Sequence, residues 1–233
     1  MGEDRARARA WELVGREDTY LTEALVEEFL SSGGWGAESF WDLLMARASE
    51  RPQAPAVIDQ DGSAITWDGL RARSAAFAAA LEELGYRPGD CLGVQLPNWS
   101  EFCVTVLGAA RAGVRPCFIH VPYRAHEMEY ILGLTQARGL VVPGLHRGFD
   151  HLGLARDLQR RLPGLREVIT ARAAGGDREL GEMVEVHLGR SPGVEPPVGT
   201  DLFVLMFTSG TTSRPKGVMH LHANLLDACR KYV

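Results

Sequence analysis

Apolar residues recur along this chain at two periods, and the change between them marks its organisation. Residues 3–14 (EDRARARAWELV) and 19–30 (TYLTEALVEEFL) carry Ala, Leu, Glu and Arg in helical order. They predict two amphipathic helices, the second capped by Thr19 with Glu23 in its first turns. Ser31-Ser32-Gly33-Gly34 breaks the pattern, so residues 1–34 read as a helical leader, in keeping with a packed extension more than an interaction surface. The Trp35 region, with glycines on either side, reads as an ordered link. A third helix is expected over Ser39–Ser49, with Phe40, Leu43, Leu44 and Arg47 at helical spacing. Pro52 ends it.

Short alternating runs follow. Ala56–Asp59 and Ala64–Trp67 flank Asp61-Gly62, a hairpin signal. Asp59 and Asp61 flank that turn and are expected to be solvated. Thr66 is the expected N-cap of a helix over Trp67–Leu84, whose apolar face includes Leu70, Phe77, Leu81 and Leu84. The rhythm then becomes regular. Strands are expected at Cys91–Leu96, Val114–Val121, Leu140–Val142 and Arg166–Thr170. Helices alternate with them, from a cap at Asn98 through Ala112, over Arg124–Ala137 and over Phe149–Leu162. This alternation predicts βαβ units and an α/β fold, a mostly parallel sheet flanked by helices with a small N-terminal hairpin. Residues 172–200 break the rhythm with Gly- and Pro-rich stretches and read as a surface loop.

The apolar run Leu202–Phe207 reads as a buried strand, and Val218-Met219-His220 as the strand leading away. Between them stands Thr208-Ser209-Gly210-Thr211-Thr212-Ser213, then Arg214-Pro215-Lys216-Gly217. Five of the six small residues carry hydroxyls. Hydroxyl donors and backbone N–H groups at close quarters, with a cation at the far end, describe a polyphosphate clamp. It is not a Walker A box, which needs G-x-x-x-x-G-K-[ST] and runs into a helix. Composition alone fits a solvated Ser/Thr/Gly hairpin loop equally well.

The 45% apolar and 24% charged content of the 233 residues is that of a globular protein with a full core. A formal charge of −5 gives no basic footprint for nucleic acid, and no stretch approaches a membrane span. Cys91, Cys103, Cys117 and Cys229 form no C-x-x-C pair and read as buried free thiols, which suits a cytoplasmic protein. His220 and His222 would share one face of a strand, with no nearby ligand to complete a metal site. His120, in an apolar run, reads as a core histidine. The charged stretch Arg156–Arg161 reads as a solvated helix face with Leu158 and Leu162 inward.

The twelve residues Leu205–Lys216 (LMFTSGTTSRPK) resemble the AMP-binding signature of the adenylate-forming superfamily, which includes acyl- and aryl-CoA synthetases, luciferases and peptide-synthetase adenylation domains. Ser213 stands where Gly is more usual. Ile65-Thr66-Trp67-Asp68-Gly69-Leu70 is similar to the first short core motif of adenylation domains. Arg111-Ala112-Gly113-Val114-Arg115-Pro116 resembles the second, with its Pro one residue early. Leu96-Pro97-Asn98, Pro122-Tyr123-Arg124 with His126-Glu127, and Lys216–His220 with His222 and Asn224 look most like the acyl-/aryl-CoA ligase branch. The similarity covers Ser39 to the end; residues 1–30 carry no such motif.

The resemblance implies that the chain belongs to the large N-terminal domain of such an enzyme, with residues 35–233 its first part. It implies ATP-dependent activation of a small-molecule carboxylic acid to an acyl-adenylate, then thioesterification to CoA. Thr208, Ser209, Gly210, Thr211, Thr212, Ser213 and Lys216 would bind the β- and γ-phosphates of ATP, and Thr211 would help orient Mg²⁺. An aryl-AMP ligase loading a carrier-protein thiol, or a non-catalytic adenylation-fold scaffold, are the alternatives. The family's adenine site, acidic Mg²⁺ ligand, ribose-binding Asp, hinge and catalytic Lys follow the clamp and are not in this sequence. The chain is therefore expected to be a fragment with no catalytic residue of its own, inactive alone, and inclined to homo-oligomerise through apolar surface.

Overall fold

The computed structural model describes residues 4–5, 22–208 and 215–231. Its centre is a seven-stranded sheet of order β11-β10-β4-β3-β5-β8-β9. The strands are β3 (Cys91–Val94), β4 (Arg115–Phe118), β5 (Gly139–Pro143), β8 (Glu167–Ala171), β9 (Arg178–Glu179), β10 (Leu202–Thr208) and β11 (Lys216–Leu221). Every pairing is parallel except β10 with β11. This is the expected mostly parallel sheet.

Alternate side chains of each strand enter different layers, as the period of two requires. Leu92, Val94, Val141, Ile169 and Ala171 face the layer holding Phe77, Leu81, Leu180 and Val184. That layer is built by α3 (Trp67–Glu83), α4 (Ser100–Arg111) and α7 (Leu180–His187). Cys91, Leu140, Val142 and Val168 face the layer holding Met128, Ile131 and Leu158, from α5 (Ala125–Leu134) and α6 (His151–Arg161). Burial on both faces is why these strands read as unbroken apolar runs. The hairpin of β1 (Pro55–Ile58) and β2 (Ala64–Thr66) forms as expected, and Thr66 accepts the Gly69 N–H at 3.1 Å to cap α3. A second small hairpin, β6 (Leu145–His146) with β7 (Phe149–Asp150), precedes α6 and has no counterpart in the sequence reading.

Several expectations are corrected. The leader helix described is α1 (Glu23–Ser31), and Thr22 caps it by accepting from Leu25 N; the expected cap Thr19 and most of the first helix lie outside the described residues. In α2 (Phe40–Glu50) the buried residues are Trp41, Leu44 and Ala48, one step along from the predicted stripe. Asn98 does not cap α4. That helix starts at Ser100, and its first N–H is met from another element, by Asp59. Cys229 is exposed, while Cys91 and Cys117 are buried.

Residues 172–200 are not a surface loop. They hold β9 and α7, whose Leu180, Met183, Val184 and His187 are buried. The strap that follows is pinned along its length. Arg111 donates to Val194 O (2.8 Å) and Pro192 O (3.3 Å), Glu82 accepts the Gly193 N–H (3.0 Å), and Arg5 donates to Pro196 O (2.8 Å). At Gly199 the strap lies so close to residues 36–38 that a Cβ would stand 1.9 Å from Gly36 O. Only glycine fits there.

Candidate functional site

The apolar sequence of β10 places Phe203, Val204 and Phe207 in the core. Its backbone pairs with β4, Leu205 opposite Cys117 and Met206 opposite Phe118. The strand therefore leaves the sheet at the carboxyl edge of the parallel strands. Open α/β sheets bind ligands beyond that edge. β11 returns antiparallel, with Thr208 opposite Lys216, Phe207 opposite Gly217 and Met206 opposite Val218. So the strand-to-strand connection read from sequence is present, and Thr208 and Lys216 stand side by side at its mouth, both exposed. The Phe207 ring lies across Gly217, where a Cβ would be 3.2 Å from Cζ.

The other end of the hairpin is anchored to the N-terminal segment. Val26, Trp35, Leu221 and Ala223 are buried together, with Phe29, Leu30 and Leu202 against them. Trp35 stacks on Phe29 at 4.9 Å. The described part of the leader is thus packed against the body of the protein. His222, the first residue of α8 (His222–Lys231), is 1% exposed and accepts the Phe40 N–H on Nδ1 at 3.2 Å. Its ring lies 4.5 Å from that of Phe203. Burial pushes its pKa down to about 3, so the imidazole is neutral, with its proton on Nε2.

Of the predicted clamp residues, the structure brings Thr208 and Lys216 together; Ser209, Gly210, Thr211, Thr212 and Ser213 lie outside the described residues. The Mg²⁺ role expected of Thr211 lies there too, and no group of three or more His, Cys, Asp or Glu able to hold a metal occurs among the described residues. His220 and His222 do not share a strand face. His220 is in β11, with its Nδ1 3.1 Å from Asn224 Nδ2, and His222 begins α8. His120 is exposed rather than in the core, because β4 ends two residues before it.

Sequence reasoning also missed two buried polar centres at the same edge of the sheet. Asp59, expected in solvent, is buried and takes the Ser100 N–H, the Ser100 hydroxyl and the Arg172 guanidinium. Burial pushes its carboxyl up, but these partners outweigh burial and hold it below the usual value. Arg172 also binds Glu101 (2.8 Å) and lies 4.5 Å from the Trp99 ring centroid. The second centre is Gln95, 0% exposed just beyond β3, with His151 beside it. Neither had a signal in sequence, since their partners are 25 to 113 positions away.

A hydroxyl and an ammonium group held in register at the ligand-binding edge of a parallel sheet suit an anionic, phosphate-bearing ligand. The model of the family described as AMP-binding enzyme matches residues 44–233, and the chain belongs to that family. The 2,3-dihydroxybenzoate-AMP ligase of Bacillus subtilis (strain 168) is 29% identical over 212 residues, 91% of this chain and 38% of the relative. The medium-chain fatty-acid–CoA ligase of Escherichia coli (strain K12) is 28% identical over 207 residues, 88% of this chain and 36% of the relative. The apo structure of MbtA from Mycobacterium smegmatis superposes with a TM-score of 0.77 at 30% identity, over 86% of this chain and 37% of that one. The chain spans little more than a third of the length of these proteins. No helix among the described residues is long and apolar enough to cross a membrane.

Proposed function

We propose that the enzyme carrying these residues joins a carboxylic acid to the α-phosphate of ATP, releasing pyrophosphate, and then passes the acyl group from AMP to the thiol of CoA. In the first step a carboxylate oxygen bonds to the α-phosphorus as its bond to the bridging oxygen of pyrophosphate breaks. In the second, the thiol sulfur bonds to the acyl carbon and AMP leaves. The observation that carries this reading is the register of Thr208 with Lys216 at the carboxyl edge of the sheet, in a chain of the AMP-binding family.

Thr208 would donate a hydrogen bond, and Lys216 place its charge, where the leaving pyrophosphate gathers negative charge. Donors fixed at that place lower the barrier. The hydroxyl-rich residues Ser209 to Ser213 complete the set on sequence grounds. Bound Mg²⁺ would share that charge with Lys216, but no described residue is assigned to it. The E. coli relative supports CoA as the acceptor. The B. subtilis relative, named as an AMP ligase, supports the second reading, in which an aryl-adenylate is handed to a carrier-protein thiol.

The test is pyrophosphate release by the complete polypeptide with ATP, Mg²⁺ and a panel of aryl and medium-chain acids. Acid-dependent release that falls about 10²–10³-fold in Lys216→Ala, the cost of one transition-state donor, supports the proposal. Release unaffected by Lys216→Ala sinks it. Residues 1–233 alone are expected to bind nucleotide and release none. The thiol acceptor is decided by supplying CoA or a phosphopantetheinylated carrier protein to the preformed adenylate.

A further inference from the structure

Beside the clamp hairpin, three backbone carbonyls converge on one side chain. β4 and β10 are parallel neighbours with Phe118 opposite Met206. Two residues further along each strand, His120 and Thr208 leave the sheet level with one another. The turn that follows β4, residues 119–124, therefore leaves the sheet from the strand next to the one that ends at Thr208. Its own backbone supplies little to hold it. Ile119 N–H donates to Val94 O (3.0 Å) and Tyr123 N–H to His120 O (2.9 Å).

The rest comes from side chains. Gln95 Nε2 donates to His120 O (3.0 Å) and Tyr123 O (3.1 Å), with Val121 O at 3.4 Å. Arg124 Nη1 closes the outer side, on Val121 O and Tyr123 O, both at 2.9 Å. Carbonyl oxygens only accept, so the Gln95 amide must turn its nitrogen to them and its oxygen away. That oxygen lies 2.9 Å from His151 Nδ1, which must then carry the proton. Gln95 and His151 are 0% and 1% exposed, so no bulk water replaces either partner. Burial first, then Arg124 and His146, push the His151 pKa below its ordinary value, so the ring is neutral and Nδ1–H is its only donor on this side.

We propose that Gln95, its amide oriented by His151, is a positioning residue that holds the 119–124 turn as the wall of the triphosphate site. This rests on the reading of Thr208 and Lys216 as triphosphate ligands. Gln95 touches no substrate. Its side chain reaches the site only through the His120–Tyr123 backbone.

Three variants of the complete polypeptide test it. Gln95→Met keeps the volume and removes the donors. His151→Leu removes the Nδ1 donor. His151→Asn puts an amide nitrogen close to where Nδ1 stands and restores the donor. Hydrogen exchange of the backbone amides of residues 119–124, titration with Mg·ATP and with magnesium pyrophosphate, and a thermal melt are measured for each. In Gln95→Met and His151→Leu, exchange of the turn and the Kd for both ligands are expected to rise about tenfold, the scale of one or two lost buried hydrogen bonds. In His151→Asn both are expected to stay within about twofold of wild type, because the donor is restored.

A merely structural role would lower all three melting points and leave His151→Asn unable to rescue the affinity; that result overturns the proposal. Equal affinity in wild type and Gln95→Met also overturns it, whether or not the turn has loosened. If the wild-type chain binds neither ligand, the triphosphate reading itself fails and takes this role with it. The exchange data then still report whether Gln95 holds the turn.

Discussion

Asp59 and Ser100 are joined across 41 positions of sequence, the Ser100 N–H donating to Oδ1 (3.0 Å) and its hydroxyl to Oδ2 (2.8 Å). Ser100 opens α4, so a residue of the β1–β2 hairpin does the work of that helix's N-cap. Asp59→Ala leaves a buried N–H and the Arg172 guanidinium short of a partner. It is expected to cost about 2–3 kcal/mol in urea unfolding at pH 7. The carboxyl is held below its ordinary 3.8, so its contribution is complete above that pH and is lost as pH falls through the folded value. Acid unfolding below about pH 4 should therefore be less steep in Asp59→Asn; an unchanged acid limb would argue against the pairing.

His222 acts in the same direction over a wider window that begins nearer neutrality. Its folded pKa of about 3 lies below the 6.5 of the unfolded chain, so the unfolded state takes up a proton first. Stability is complete above pH 6.5 and declines as pH drops from 6.5 towards 3. His222→Asn keeps an acceptor for the Phe40 N–H and removes the titration. Its stability should fall by about 1 kcal/mol less per pH unit between pH 6 and 4 than wild type. Parallel curves would show that the imidazole is not desolvated.

Gly199→Ala cannot be accommodated by a side-chain shift, because the atom its Cβ meets at 1.9 Å is the carbonyl oxygen of Gly36. Residues 36–38 must move off the strap. The expected cost is about 3 kcal/mol, at the upper end of overpacking. A melting point within a degree or two of wild type would mean the contact is not made.

Arg111 holds the 190–199 strap by two carbonyls and lies 5.7 Å from the Trp41 ring centroid. Arg111→Met retains much of the packing and loses both hydrogen bonds. Limited proteolysis should then cut between 190 and 198 at least about fivefold faster, as local opening becomes easier by about 1 kcal/mol. No change in the cleavage site or rate would mean that the other contacts of the strap, among them those to Glu82, Arg5 and Ala37, suffice to hold it.

The parallel sheet was legible because strands buried on both faces cannot hide their apolar runs, as Leu140-Val141-Val142 illustrates. The hairpin of β10 and β11 was legible from the apolar run Leu202 to Phe207. Helix α7 was not. Leu180, Met183, Val184 and His187 have helical spacing, but the Gly- and Pro-rich residues around them dominate the pattern. Asp59 was misread because an Asp beside an Asp-Gly turn is locally a solvent signal, and Ser100 and Arg172 are invisible to any local window. Gln95 was passed over for the same reason: three of its four partners are backbone atoms, which leave no trace in side-chain chemistry.

The hairpin of β10 and β11 is fastened asymmetrically. β10 is bonded on both sides, to β4 and to β11, while β11 is the edge strand, bonded to β10 alone and tied down at its far end by Leu221 and His222 against residues 26–40. The segment from Val26 to Trp35 therefore sets where the far end of β11 sits, at the other end of the six-residue strand from Lys216. Repacking Val26, Phe29 or Trp35 would disturb the edge strand from its anchored end, with every residue from Leu205 to Lys216 left as it is.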